Sequence, residues 1–169
     1  RISEEVNDLE YQFAKAIDQS SRENYIYKEL TELESDLWVA EELYACNPDS
    51  AQAARDLSVS QNKLGNFHLQ HGQWGDAEQV IAYFKAAVQT FETLLERGKA
   101  GPETLQQLVT NHWNVAMVVS RAGDDDQMQH ALGRANQLLR AMKEKDIPLD
   151  SNCEQILAEL DQMVAGKSG

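Results

Sequence analysis

The segment from residue 55 to residue 72 constrains the fold of this chain more than any other stretch. Its large apolar side chains recur at the spacing of one helix face: Leu57, Leu64 and Phe67. Gly65 lies inside this pattern, where a glycine costs about 1 kcal/mol relative to alanine. Gly72 follows the pattern, and glycine is a common residue at the end of a helix. The segment therefore predicts a helix that a second helix approaches closely at Gly65.

The same periodicity continues along the chain and predicts an all-α fold. The sequence has three prolines, few β-branched residues and many strong helix formers. Capping and turn residues divide it into about seven helices and no strand. The predicted helices cover about 4–19, then the residues between Ser21 and Asn47, then about 51–71, 77–97, 103–122 and 125–145, with a short last helix opened by a capping box of Ser151 and Glu154.

Short connections favour antiparallel helix hairpins. Residues 1–48 are predicted to form an N-terminal hairpin, 49–98 and 99–147 two further hairpins, and 148–169 a C-terminal capping helix with a frayed tail. The residues expected to open helices are Asp49 or Ser50, Asp76 and Asp124 as caps, and Pro102 at a first helical position.

The net charge of −13 is concentrated in the first third of the chain. Residues 1–50 carry 4 basic and 13 acidic side chains, whereas residues 51–100 carry 5 of each. An acidic surface repels phosphate backbones, so nucleic acid is not expected as a partner. The acidic third is either a solvated helix face or a landing surface for a basic protein partner.

The sequence gives no sign of a membrane or secreted protein. It lacks an apolar run of the roughly 18 residues that a membrane span needs, and it lacks a signal-peptide pattern. Cys46 and Cys153 do not form a disulfide framework, which favours the cytoplasm. Because the chain starts at Arg1, we expect it to be a piece of a longer protein.

No residue pattern predicts catalysis, a metal or a cofactor. His68 and His71 are three residues apart, but no HExxH motif or suitably spaced carboxylate accompanies them. His112 is predicted to be a packed residue, and the three acidic residues 124–126 suit a helix start. Nucleotide-binding and nucleophile-elbow motifs are missing from the sequence. We therefore expect a protein that is not an enzyme.

Two parts of the sequence repeat each other and carry a family resemblance. Leu64-Gly65 precedes Gly72 as Val115-Ala116 precedes Gly123, at an offset of 51 residues. Leu64-Gly65-x-x-His68 followed by Ala77-x-x-x-Ile81 resembles the tetratricopeptide repeat, and residues 55–65 resemble its bacterial members. A shifted register with Phe84 and Ala87 in the second helix is the alternative. The resemblance implies a short α-solenoid of stacked hairpins; a closed helical bundle is the alternative architecture.

The resemblance implies that the first helix of each hairpin lines a concave groove that binds a protein or peptide. Carried over by position, the groove residues are Asn62, Lys63, Asn66, Trp113, Met117 and Arg121. Asparagine amides suit a peptide backbone, and Trp113 with Met117 suits an apolar anchor. Trp113 has the alternative role of packing between hairpins. The alternative function is a structural or regulatory segment that packs against a catalytic domain of a longer chain.

Overall fold

The computed structural model describes residues 2–72 and 77–166. Over these residues the chain forms helices and no strand, so the predicted all-α class is confirmed. The described residues form six helices, one fewer than predicted: α1 (Ile2–Cys46), α2 (Ala51–His71), α3 (Ala77–Glu96), α4 (Pro102–Arg121), α5 (Asp125–Glu144) and α6 (Ser151–Gly166).

Each helix packs against its neighbour in the chain. α2 and α3 form one hairpin and α4 and α5 the next, while α3 packs on α4 and joins the two hairpins. α1 packs on α2, and α6 closes the other end against α4 and α5. The core runs through these contacts, and its largest fully buried side chains include Phe84, Phe91, Leu94, Leu108, Leu139 and Met142.

α1 is one continuous helix, so the predicted break at Ser21 and the predicted hairpin over residues 1–48 are wrong. No glycine or proline interrupts residues 2–46, and the serines at 20 and 21 fit an exposed helix surface. Side chains four residues apart bridge the expected break. Arg22 pairs with Asp18 at 3.0 Å, and Gln19 donates a hydrogen bond to Glu23 at 3.0 Å.

Local capping explains where α2, α4 and α5 begin. The Ser50 hydroxyl accepts a hydrogen bond from the Ala53 amide at 3.1 Å, so Ser50 is the cap. The Asp124 carboxylate accepts one from the Gln127 amide at 2.9 Å, as predicted. Pro102 opens α4, where its missing N–H costs nothing.

The start of α6 differs from the predicted capping box. The Asp150 carboxylate accepts the hydrogen bond from the Cys153 amide at 2.8 Å, and Ser151 is already helical. Asp150 therefore caps α6, one residue before the predicted position. The predicted cap Asp76 lies outside the described residues.

Gly65 marks the close contact between α2 and α3 that its position in the helix pattern predicts. A Cβ atom added at Gly65 would lie 3.1 Å from two ring carbons of Phe84. Phe84 is 1% exposed, and Ala87 beside it in α3 is fully buried, whereas Ala77 and Ile81 are half-buried. The contact therefore fits the shifted register of the second helix, in which Phe84 and Ala87 face α2.

We expect Gly65→Leu to lower the free energy of unfolding by about 1–3 kcal/mol, because leucine overpacks the contact with Phe84. Gly65→Ala should give no gain, since the confined Phe84 ring offsets the better helix propensity of alanine. Gly133→Ala is the matched control, because Gly133 lies inside α5 with nothing within 4 Å of its added Cβ. That control should stabilise the protein by about 0.5–1 kcal/mol. Urea denaturation measures all three, and equal gains from both alanine variants would contradict a close contact at Gly65.

Candidate functional site

α2 and α4 lie side by side and run in the same direction. Near their N-terminal ends, Arg55 pairs with Glu103 at 2.7 Å. Farther along both helices, the Asn62 side-chain amide donates a hydrogen bond to the side-chain oxygen Oδ1 of Asn111 at 2.6 Å. Because the partners keep the same order along both helices, the helices are parallel. This arrangement places the predicted groove positions of α2 and α4 next to each other.

A row of hydrogen bonds between buried polar side chains holds α2 and α4 in register. The Asn111 amide donates to the Ser58 hydroxyl at 3.0 Å, and both side chains are fully buried. Asn62 continues the row from the other side, so its amide nitrogen serves an internal hydrogen bond. Its Oδ1 atom is buried and has no hydrogen-bond partner among the described residues. Asn62 thus joins the two helices through an internal hydrogen bond, whereas the sequence assigns its amide to a bound peptide.

Three of the six predicted residues meet at one recess. Asn66 from α2 and Met117 and Arg121 from α4 line a shallow cavity of about 60 Å³. Leu69, Asn114 and the edge of Phe84 also line it. The recess therefore combines two side-chain amides and a guanidinium with an apolar floor.

The two remaining predicted residues are not among those that line the recess, and they differ in burial. Lys63 is exposed, whereas Trp113 is half-buried and packs against the hydrophobic core. We call Lys63, Asn66, Trp113, Met117 and Arg121 the inner face. It contains two cations and no carboxylate, although the whole chain carries a net charge of −13. The inner face is thus a basic and partly apolar surface on an acidic protein.

A larger cavity lies between α3, α4 and α5. It encloses about 500 Å³ and has an apolar floor formed by Val88, Val115 and Ala131. Lys85, Asp126 and His130 lie at its polar rim, where Lys85 donates a hydrogen bond to Gln127. Sequence reasoning missed this cavity, because its lining comes from three helices whose relative register no local motif encodes.

A charged triad lies beside this cavity and joins the same three helices. Glu92 of α3 accepts two hydrogen bonds from Arg134 of α5, each at 2.8 Å. The His112 Nε2 atom of α4 lies 3.0 Å from the same carboxylate. Because a carboxylate only accepts hydrogen bonds, the Nε2 atom carries the proton and donates it. The predicted role of His112 as a packed residue fits its 6% exposure.

The triad is held in one protonation state near neutral pH. The hydrogen bonds from Arg134 lower the pKa of Glu92 below its ordinary 4.5, against the opposing effect of burial. Burial lowers the pKa of His112 below its ordinary 6.5, against the opposing effect of Glu92. Glu92 is therefore ionised and His112 neutral at pH 7. Every partner of the carboxylate is internal, so the triad is a brace between helices.

His68, His71 and Cys153 lie outside the triad and pack against their neighbours. His68 stacks on Tyr83 with ring centroids 5.7 Å apart, and Phe67 contacts His71. Burial raises the pKa of Cys153 to about 12, which keeps this thiol protonated. Across residues 2–72 and 77–166, no group of three or more histidine, cysteine, aspartate or glutamate side chains could hold a metal ion.

The fold and the inner face are defined by the geometry described above. Among the described helices, none combines the length and the apolar character that crossing a membrane requires. No family model matches the chain, and no curated protein or solved structure matches it.

Proposed function

We propose that this protein is a non-enzymatic interaction module with helical repeats of the tetratricopeptide type, which binds a peptide or protein partner along the inner face. The observation that carries the proposal is the meeting of Asn66, Met117 and Arg121 at one recess between two parallel helices. Successive hairpins of a solenoid align their first helices in this way, and the shared surface is a common place for a partner. The free thiols Cys46 and Cys153 agree with a cytoplasmic location.

The inner face offers a bound peptide several kinds of contact. The Asn66 and Asn114 amides each provide donors and an acceptor to a peptide backbone. Met117 and exposed Leu69 adapt to an apolar side chain, since methionine fills irregular contacts. Lys63 and Arg121 attract carboxylates, so the peptide segment in this groove should carry acidic or neutral side chains. A basic segment of the same partner would instead favour the acidic surface of α1.

A selection experiment with defined peptides tests this proposal. Peptides chosen from a random displayed library against the purified protein should lose affinity by about tenfold with Asn66→Ala and with Arg121→Ala. Both side chains are exposed, so thermal unfolding should stay within the error of wild type. Lys143→Ala is the matched control, because it removes an exposed cation from α5 without touching the inner face.

Two results would contradict an inner-face site. Peptides that bind both variants as tightly as wild type would place the binding surface elsewhere. Peptides whose affinity falls equally with Lys143→Ala would bind through general charge and not through the recess.

A further inference from the structure

Only one side of α1 is used by the fold. In its C-terminal half, Leu33, Leu37, Ala40 and Tyr44 recur at helical spacing and are buried or half-buried against α2. α1 meets α2 through this side, much as α3 meets α4. Yet α3 also has α2 packed along a second side, which completes a hairpin. The corresponding side of α1 is exposed.

A line of large apolar residues continues this exposed side into the N-terminal half of α1, where every described side chain from residue 11 to residue 25 is exposed. Leu9, Phe13 and Ile17 are four residues apart, and Tyr27 and Trp38 are 11 residues apart, about three helical turns. Trp38 comes five residues after Leu33, which turns it about 140° away from α2 at about 100° per residue. Each of the five side chains is more than half exposed. We call the five the outer stripe: Leu9, Phe13, Ile17, Tyr27 and Trp38.

Such a stripe is unusual on a protein surface. Single exposed apolar side chains are ordinary, and α1 also exposes Tyr11, Tyr25, Val39 and Leu43 on its other sides, but the five stripe residues share one side of the helix. In the same chain, α3 packs on two helices, α2 and α4, whereas α1 packs on α2. The geometry of the outer stripe therefore suits one further helix laid along α1.

The charges around the stripe define the chemistry of that helix. Side chains three or four residues apart on a helix are neighbours. Among the residues whose side chains the structure describes, the positions at these distances from the five stripe residues contain four glutamates and no lysine or arginine: Glu23, Glu34, Glu41 and Glu42. Three of them surround Trp38 alone. A second copy of α1 would bring its own glutamates against these, which disfavours self-association.

We propose that the outer stripe binds an amphipathic helix of a partner protein, whose apolar face is flanked by lysine and arginine side chains. The apolar face of that helix covers Phe13, Ile17, Tyr27 and Trp38. Its cations pair with the glutamates that border the stripe, which speeds association and selects against acidic helices. This surface is separate from the inner face, and the proposal does not depend on binding there.

Two designed peptides of about four heptads each, long enough to extend from Phe13 to Trp38, serve as probes. Both place leucine at the apolar positions, and they differ only in having lysine or glutamate at the flanking positions. We expect the lysine peptide to bind the full chain at least tenfold more tightly than the glutamate peptide, measured by calorimetry. Raising the salt concentration should weaken the lysine peptide, because exposed charge pairs are screened.

A pair of tyrosines provides the matched control. Tyr25 and Tyr27 are each 71% exposed, but they lie two residues apart and so point in different directions from α1. Tyr27→Ser and Trp38→Ser should each weaken the lysine peptide about tenfold, whereas Tyr25→Ser should leave its affinity unchanged. The helix content of all three variants, measured by circular dichroism, should equal that of wild type. Arg121→Ala on the inner face should also leave this affinity unchanged.

Four outcomes would overturn the proposal. Equal losses from Tyr25→Ser and Tyr27→Ser would mean that the basic peptide does not bind along the outer stripe, and no loss from Tyr27→Ser or Trp38→Ser would mean that it binds through general charge. Equal binding of the glutamate peptide would remove the charge selection. Sedimentation of the chain alone as a dimer that Tyr27→Ser dissociates would assign the stripe to a second copy.

Discussion

Glu92→Ala is expected to lower the free energy of unfolding by about 2–4 kcal/mol. The substitution leaves the His112 N–H and the Arg134 guanidinium without their shared acceptor, between helices that exclude most water. This loss of stability is smaller than the loss for a fully buried ion pair, because Arg134 is 29% exposed and can turn toward solvent. Urea denaturation at pH 7 measures the loss. Asp161→Ala is the matched control, since it breaks a carboxylate–arginine pair with Arg140 that is about half exposed, and it should cost less than about 1 kcal/mol.

Lowering the pH tests the same triad, because the free energy of unfolding should fall in a defined pH range. The pKa of Glu92 is lowered by folding, so its contribution is complete above pH 4.5 and disappears as the pH falls through the folded-state value. His112 also has a lowered pKa, so wild-type stability should begin to fall below pH 6.5 as the neutral imidazole is forced to charge. The difference between wild type and Glu92→Ala should therefore shrink below pH 4.5. A constant difference down to pH 3 would show that the ionised carboxylate is not what stabilises the triad.

Trp113→Ala is expected to weaken a peptide bound at the inner face by at least about 2 kcal/mol, the size of an interface hot spot. Its half-buried ring also packs on the core, so stability should fall by about 1–3 kcal/mol. Domains of this kind have about 5–15 kcal/mol of stability, so the variant remains folded and its affinity can be measured at 25 °C.

A substitution of Trp38, the other tryptophan in the described residues, separates the two roles of Trp113. Trp38→Ala removes a ring that is 61% exposed on α1, and it should change neither the stability nor the affinity of the inner-face peptide. If Trp113→Ala costs 3–5 kcal/mol of stability and the affinity is unchanged, Trp113 is a packing residue alone.

Local signals explain which parts of the fold the sequence predicts. Ser50, Pro102 and Asp124 act on backbone groups within a few residues, so α2, α4 and α5 start within one residue of the predicted positions. The break at Ser21 fails because serine both caps helices and tolerates an exposed helical position. A serine acts as a cap only where the chain leaves one helix and enters another, and no glycine or proline within residues 2–46 forces α1 to end.

The candidate site is only partly predictable for a physical reason. Helical spacing brings Asn66, Met117 and Arg121 to one recess once α2 and α4 are parallel. Asn62 and Asn111 are 49 residues apart in sequence, and their pairing depends on the axial position of α4 relative to α2. The same is true of Glu92 and Arg134, which are 42 residues apart. Composition and periodicity contain no information on such pairs.

The buried row of Ser58, Asn111 and Asn62 has a consequence for the conformational ensemble of the protein. Sliding α4 by one turn, about 5.4 Å, along α2 would separate both amides from their partners inside the protein. Each unpaired buried group costs about 1–3 kcal/mol, so the slipped arrangement lies about 2–6 kcal/mol above the native one. At 1.4 kcal/mol per factor of ten, its population is at most a few per cent. A partner that contacts both α2 and α4 therefore binds a surface whose geometry is already fixed before binding.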